Sequence, residues 1–343
     1  MLIEPDLAPD DAAFMARAVA RAAHSRLLAP PNPWVGAVLV APDGTSWEGS
    51  TRRPGGNHAE VEVLARAGER ARHGTLYVTL EPCCHHGRTP PCTDAVIAAG
   101  VPRVVVGVSD PDPKVGGRGL DQLREAGIEV IVGPGADLVE AQLAPYLHHR
   151  RTGRPWVVLK LASTLDGRTA AADGTSQWIT GPEARHDAHE LRAASDAILV
   201  GAGTVRADDP RLTVRDVLAS DGAPPRDPLR VVLGRAPEGA AVHPCLETGG
   251  DLGAVLDDLG ARQVVQLMVE GGADVAGRFH RAGLVNRYIV YLAPALSGGD
   301  DGAGLFRGPG AATMTDMARL RLLDVRRVGD DLRLELAPAE EAG

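Results

Sequence analysis

The chain has 343 residues, 44% of them hydrophobic and 24% charged, with a formal net charge of −9. That length accommodates two domains of ordinary size in a soluble globular protein. The acidic balance leaves no global electrostatic reason to bind nucleic acid. No run is apolar enough for a membrane span, and Met1-Leu2-Ile3-Glu4-Pro5-Asp6 lacks the order of a signal peptide, so a cytoplasmic location is expected.

In chain order, Asp10 to Ala23 predicts a capped amphipathic helix and Val35 to Val40 a buried strand. His58 opens a helix from Ala59 to Ala67, Thr75 to Leu80 is the strand delivering Cys83, and Cys92 enters a helix that continues from Thr93 to Ala99 with Pro91 near its first turn. Strand Val104 to Val108, helix Leu120 to Ala126 and strand Glu129 to Val132 follow. The polar, basic run His148 to Pro155 reads as a linker, which places one domain at 1–147 and another at 156–343. The second begins with strand-like Trp156 to Leu161 and continues with strands near Ala197 to Val200, Leu229 to Leu233, Gln266 to Val269 and Tyr288 to Leu292. Helices alternating with short β-branched runs predict an α/β layered sheet in each half.

Three stretches carry the first half's chemistry: His58-Ala59-Glu60, Glu81-Pro82-Cys83 and Pro90-Pro91-Cys92. One imidazole and two thiolates suit a tetrahedral zinc whose fourth position is left for water, and zinc brings that water's pKa towards roughly 7. Glu60 would then take the water's proton, protonate a ring nitrogen and protonate a departing amine. The helix dipole at Cys92 should favour its thiolate form. On a regular helix His58 and Glu60 point about 200° apart, so they converge only if the site lies against the helix N-terminus. A lone His-x-Glu more often means a satisfied core histidine, and two cysteines alone fit core thiols or a structural zinc; the ordered combination favours a catalytic zinc. Zinc deaminases of the Pro-Cys-x-x-Cys type have a shorter spacer than the eight residues between Cys83 and Cys92. Cys84 is a rival ligand by adjacency but is more simply a small residue packed beside the site. Cys245 reads as an isolated thiol, and three clustered cysteines argue for metal in a reducing compartment rather than disulfides.

In the second half, Ala197-Ile198-Leu199-Val200 runs into Gly201-Ala202-Gly203-Thr204, and Val269-Glu270 into Gly271-Gly272. Both have the form of a strand feeding a tight turn where backbone amides meet phosphate, although an ordinary connecting loop reads the same way. Arg192, Arg206, Arg211 and Arg215 are suited to grasp a phosphate; a solvated face is the competing reading.

The chain resembles the bifunctional deaminase/reductase family of bacterial riboflavin biosynthesis. The ordered blocks are Pro31-Asn32-Pro33, His58-Ala59-Glu60-Val61, Thr79-Leu80-Glu81-Pro82-Cys83, His86-Gly87-Arg88-Thr89-Pro90-Pro91-Cys92, Asp110-Pro111 and Gly117-Arg118-Gly119. They continue as Lys160-Leu161-Ala162, Leu165-Asp166-Gly167-Arg168, Ser176-Gln177-Trp178-Ile179-Thr180, Asp208-Asp209-Pro210 and Val269-Glu270-Gly271-Gly272. The resemblance implies an N-terminal cytidine-deaminase-like α/β/α layer domain and a C-terminal dihydrofolate-reductase-like α/β domain. It implies hydrolytic deamination of a diaminopyrimidinone ribosylamine 5′-phosphate, then NADPH reduction of the ribosyl group to ribityl. By position, His58, Cys83 and Cys92 would bind zinc, Glu60 would shuttle protons, and Asn32, His85 and Arg88 would contact the first substrate. Ser176, Arg192, Leu212, Arg215 and Glu270 would face the second substrate; Ala162, Trp178, Thr204, Asp208, Gly271 and Gly272 would face NADPH. Lys160 and Asp166 are candidates for moving a proton in the reduction or for ordering the pocket. A homodimer through the reductase domain is also implied.

Two departures stand out. Thr51 occupies a position where the family commonly has histidine, and the segment after Leu233 is short, with Gly234-Arg235 in place of the usual Asp-Ser type pair. Arg235 then becomes a candidate for the 2′-phosphate of NADPH. The alternatives are a deaminase of the same pathway with a weakened reductase half and, less well supported, a nucleic-acid-editing zinc deaminase, which the 3% aromatic content disfavours.

Overall fold

A computed structural model describes residues 10–339, in two compact units. One runs to Thr152 and also includes Leu218–Pro225; the other comprises Gly153–Val217 and the chain from Arg226 onward.

The first unit contains α1 (Asp11–Ala23), β1 (Gly36–Val40), β2 (Ser46–Ser50), α2 (Ala59–Ala67), β3 (Thr75–Leu80), α3 (Cys92–Ala99), β4 (Arg103–Val108), α4 (Arg118–Glu125), β5 (Glu129–Val132) and α5 (Ala136–Thr152). Its sheet has the order β2-β1-β3-β4-β5, with β3, β4 and β5 parallel and β1 antiparallel to both neighbours. A side chain at Gly36 would strike Ala18 of α1, and one at Gly49 would strike Ala59 and Val63 of α2. Gly49 pairs with Ala37, and successive strand residues face opposite sides, so α1 and α2 cover opposite faces of the sheet. A side chain at Gly107 would meet both Met15 and Val139, which puts α5 on the α1 face.

Two local expectations change. Asp10 occupies the N-cap of α1 without a side-chain cap bond. The buried acid is instead Asp11, which accepts from Tyr77 at 2.9 Å and from both terminal nitrogens of Arg103 at 3.0 and 2.8 Å. The polar run His148–Thr152, expected as linker, forms the last turns of α5. Tyr146, Leu147 and His149 are buried there, and basic residues close to a helix C-terminus suit its dipole, so the run is held on one side and favoured on the other.

The second unit contains β6 (Trp156–Thr164), β7 (Arg168–Ala170), α6 (Pro182–Ala193), β8 (Ala197–Gly201), α7 (Ala202–Asp208), β9 (Leu229–Leu233), β10 (Leu246–Thr248), α8 (Leu252–Ala261), β11 (Gln266–Val269), α9 (Ala273–Arg281), β12 (Arg287–Ala293), β13 (Ala303–Gly304), β14 (Leu320–Val328) and β15 (Asp331–Pro338). The main sheet runs β10-β9-β8-β11-β6-β12-β15-β14; its first six strands are parallel and the terminal hairpin antiparallel. β8 and β11 are buried along their whole length, as parallel strands covered on both faces must be. Leu199, Leu267 and Val269 face Leu256 and Leu259 of α8 and Phe279 of α9, while Ile198, Val200 and Met268 face Val205 of α7.

Candidate active site

In the first unit three elements end at one point. His58 is the N-cap of α2 with extended backbone (φ −76°, ψ 166°), so it stands off the helix and the angular conflict with Glu60 disappears. Cys83 follows β3, and Cys92 is the first residue of α3. Nδ1 of His58 lies 3.1 Å from Cys92 Sγ and 3.7 Å from Cys83 Sγ, and the three donors all lie within 4.8 Å of one another. A tetrahedral zinc with bonds of about 2.3 Å to sulfur and about 2.0 Å to nitrogen sets N···S separations near 3.5 Å, so these residues fit that ion. Cys84 points elsewhere, 4.0 Å from the Lys114 carbonyl.

The two thiols are not equivalent, and the helix end acts on the other one from that expected. Cys83 is held well below the usual thiol range because Cys92 and His58 both offer it hydrogen bonds, and the Cys92 amide donates to its sulfur at 3.4 Å. Cys92 is pushed up by the Cys83 thiolate beside it, by burial and by Glu60. The first amide of α3 thus points at the neighbouring sulfur, a smaller contribution beside the thiol–thiol and His58 contacts. Glu60 is buried at 3% exposure. Burial, then the charge on Cys83, raise its carboxyl to about 7 against the opposing pull of His58. A carboxyl poised near neutrality can both take and return a proton.

His58, Glu60 and Cys83 open on a cavity of about 340 Å³ that Asn32, His85, Arg88 and Lys114 also line. Thr51 lines it too, but its hydroxyl is occupied by the Val35 backbone, accepting from the amide at 3.1 Å. In the sequence Glu81 stands out only as one residue of the Thr79–Cys83 block. In the fold its buried carboxylate collects the amides of Asp110, Gly117, Gly119 and Leu120 at 2.9 to 3.4 Å, fastening the Cys83 loop to the loop after β4. Gly119 permits this approach, since a Cβ there would lie 2.2 Å from the Pro82 carbonyl. Asp110, also on the cavity wall, is pushed up to about 6 by burial and accepts from the Tyr146 hydroxyl. Its partners lie 29 and 36 residues away in sequence, which no local pattern signals.

In the second unit Glu270 follows β11 and stands between two cations, Lys160 Nζ on β6 at 3.2 Å and an Arg192 nitrogen of α6 at 2.8 Å. Burial pushes this carboxyl up, but Lys160 and Arg192 outweigh it and hold it at about 2. Arg192 also donates to the Thr213 carbonyl at 2.8 Å, which draws Leu212 and Arg215 towards the same strand ends. The Arg215 amide donates to Nδ1 of His189 at 3.3 Å. His189 is held at about 4 by burial and by Arg192 and Arg215, so it stays a neutral acceptor. Of the four arginines grouped from sequence, Arg192 is buried and paired, whereas Arg206, Arg211 and Arg215 are exposed. Gly272 is the N-cap of α9, and a Cβ on it would come 3.6 Å from Thr204 Oγ1, so the two glycine turns adjoin. Both segments open a helix at the carboxyl end of a parallel strand, Gly201 as the N-cap of α7 and Gly272 as that of α9, an arrangement that suits a dinucleotide phosphate. Ala162 lies on β6 beside Tyr291; Ser176 is half-buried and Asp208 exposed. Trp178 is 68% exposed beneath the Arg185 guanidinium. Asp166 accepts from the Thr164 hydroxyl and from the Ser297 and Gly298 amides, which hold it at about 2 and give it a loop-ordering role.

Residues 8–108 match the family model for the cytidine and deoxycytidylate deaminase zinc-binding region, and residues 155–334 match that for the RibD C-terminal domain. The riboflavin biosynthesis protein RibD of Escherichia coli (strain K12) is 42% identical over 96% of this chain and 100% of its own. A solved structure of Acinetobacter baumannii RibD superimposes with a TM-score of 0.90 at 37% identity, covering 96% of this chain and 99% of that one. The diaminohydroxyphosphoribosylaminopyrimidine deaminase/5-amino-6-(5-phosphoribosylamino)uracil reductase of Thermotoga maritima superimposes with a TM-score of 0.85 at 32% identity and the same coverage.

Proposed function

The chain belongs to the RibD family of riboflavin biosynthesis proteins, and on that premise we propose that it performs two consecutive reactions. The first unit removes the 2-amino group of 2,5-diamino-6-ribosylamino-4(3H)-pyrimidinone 5′-phosphate by hydrolysis. The second reduces the ribosyl group of the product to ribityl with NADPH. The observation that carries the reading is the buried Glu60 carboxyl on the same cavity as His58 and Cys83, beside a three-donor cluster of zinc type.

In this reading His58, Cys83 and Cys92 hold zinc, which when bound supplies a water acidified enough to attack at neutral pH. Glu60 would accept that water's proton at its carboxylate and deliver it to the ring nitrogen, then take the proton of the hydroxyl added at the ring carbon and pass it to the leaving amine, so that the hydroxyl becomes the product carbonyl and ammonia departs. Asn32, His85 and Arg88 orient the substrate, and Arg88 with Lys114 offers cations to the 5′-phosphate. With its hydroxyl spent on Val35, Thr51 makes no polar contact of the kind a histidine there offers.

In the second unit NADPH supplies hydride to C1′ of the opened sugar. Glu270 stays ionised and accepts sugar hydroxyls, with Lys160 and Arg192 fixing its direction. Ser176, Leu212 and Arg215 complete the substrate side; Ala162, Trp178, Thr204, Asp208 and the Gly271-Gly272 turn receive the cofactor. The complete Lys160, Glu270 and Arg192 arrangement favours a working reductase over a weakened one. Arg235 is assigned to the 2′-phosphate, and an unchanged preference for NADPH over NADH in Arg235→Ala would remove that assignment. Self-association through the reductase half has a surface suited to it: β14 is an edge strand with Leu322 and Val325 exposed. Light scattering of the full chain decides whether it is a dimer. A cytoplasmic setting fits free thiols at Cys83 and Cys92 and the absence, among the described residues, of any helix able to cross a membrane.

The test is a paired assay on zinc-loaded protein given the diaminopyrimidinone ribosylamine phosphate. Ammonia release without NADPH, followed by NADPH oxidation on its addition, is expected; ammonia alone would confine the function to the first unit.

A further inference from the structure

Cys245 is not the isolated thiol its sequence context predicts. It sits in His243-Pro244-Cys245-Leu246-Glu247, a bend that leads into the edge strand β10. Nδ1 of His243 lies 3.5 Å from Cys245 Sγ, and donors of His243, Cys245 and Glu247 all lie within 4.8 Å of one another. That nitrogen-to-sulfur distance matches the separation near 3.5 Å which a shared tetrahedral zinc imposes on its ligands.

Two further contacts orient the donors. Nε2 of His243 is 3.1 Å from the Pro237 carbonyl, so as the donor there it leaves the Nδ1 lone pair facing the thiol. Metal-ligating histidines are commonly fixed by such a bond from the other ring nitrogen. Oε1 of Glu247 accepts from the Ala236 amide at 2.9 Å, leaving the second carboxylate oxygen available to a ligand. We propose that His243, Cys245 and Glu247 form a second divalent-cation site, separate from the His58, Cys83 and Cys92 centre, with solvent completing the coordination. A thiolate, an imidazole and a carboxylate select zinc over magnesium or calcium, which prefer oxygen donors throughout. No substrate-facing group named above lies in this cluster, so the cation has a structural task. It would tie the short segment after β9 to the edge strand, where a Gly234 amide bond to Thr248 and an Arg230 bond to the His243 carbonyl already bring the two together.

The full chain, stripped with a chelator and titrated with cobalt, tests this. Two equivalents are expected. The second should add roughly half the thiolate-to-cobalt absorbance of the first, because it has one sulfur instead of two. Cys245→Ser should abolish the second equivalent alone, Cys83→Ser should alter the first alone, and excess magnesium should displace neither. Amide exchange across residues 234–248 should slow on addition of the second equivalent in the unaltered chain and stay unchanged in Cys245→Ser. His243→Gln provides an independent variant, and a retained first equivalent in either variant shows that the protein is folded. A single equivalent in the unaltered chain, persistence of the second in both variants, or its displacement by magnesium would overturn the proposal.

Discussion

Glu60 and Glu270 are the same side chain set in two different surroundings. Glu60 is buried beside a thiolate and is driven up to about 7; Glu270 stands between Lys160 and Arg192 and is held at about 2. Burial acts on both in the same direction, so the neighbouring charges decide the outcome. A carboxyl that titrates near neutrality suits proton transfer, and one that never takes a proton suits a fixed anchor.

The largest break in that comparison is Glu60→Gln. Ammonia release should fall by about 10² to 10⁴-fold, the range for losing a general acid–base, while zinc content and reduction of the deaminated intermediate stay unchanged. A variant that keeps most of its ammonia release would remove Glu60 from the proton path. Next comes Glu270→Gln, which leaves Lys160 and Arg192 facing each other without a counter-charge. A loss of about 3 kcal/mol is expected, at the lower end for breaking a buried pair because the Glu270 side chain keeps 20% exposure. Denaturant melts give the stability change, and the intermediate-reduction assay should show a parallel drop in kcat/KM with ammonia release intact.

The two sites should also answer pH in opposite senses. Because the folded pKa of Glu60 lies above its unfolded value, chelator-treated protein gains stability from it at acid pH and loses that gain as pH rises through about 7. Glu270 is the reverse, contributing stability above its unfolded pKa and losing it as pH falls towards about 2. Each effect is on the order of 2 kcal/mol within the accessible range, and each should vanish from the stability-against-pH curve of its own glutamine variant. Zinc should flatten only the Glu60 limb. The smallest expected effect is that of Cys84→Ala, whose thiol lies outside the donor cluster: stability within about 0.5 kcal/mol and unchanged zinc content.

The zinc-type centre was legible because its parts are local. Each donor terminates or opens an element whose pattern is visible within ten residues, and β3, β5, β9 and β11 begin and end where apolar periodicity places them. The reductase centre was less so. Lys160, Arg192 and Glu270 come from β6, α6 and the end of β11, and only the resemblance to a family linked them. The difference between Cys83 and Cys92 depends first on the hydrogen bond between the two thiols, then on burial, on His58 and on the α3 amide, contacts that no spacing encodes. The alternation His243, Cys245, Glu247 was in plain view. A strand of only three residues, Leu246–Thr248, placed just after Pro244, carries no periodicity of its own to announce it.

Glu81 narrows what random change can do at the first centre. Its carboxylate is surrounded by four backbone donors, so only an acceptor-only group satisfies that pocket. Glutamine, nearly identical in shape, would turn an amide group towards other amides, and aspartate would fall one methylene short. The surface around the cavity is therefore free to wander through many residues in search of a new substrate, while the hinge between its two walls has almost no neighbouring solution to move to.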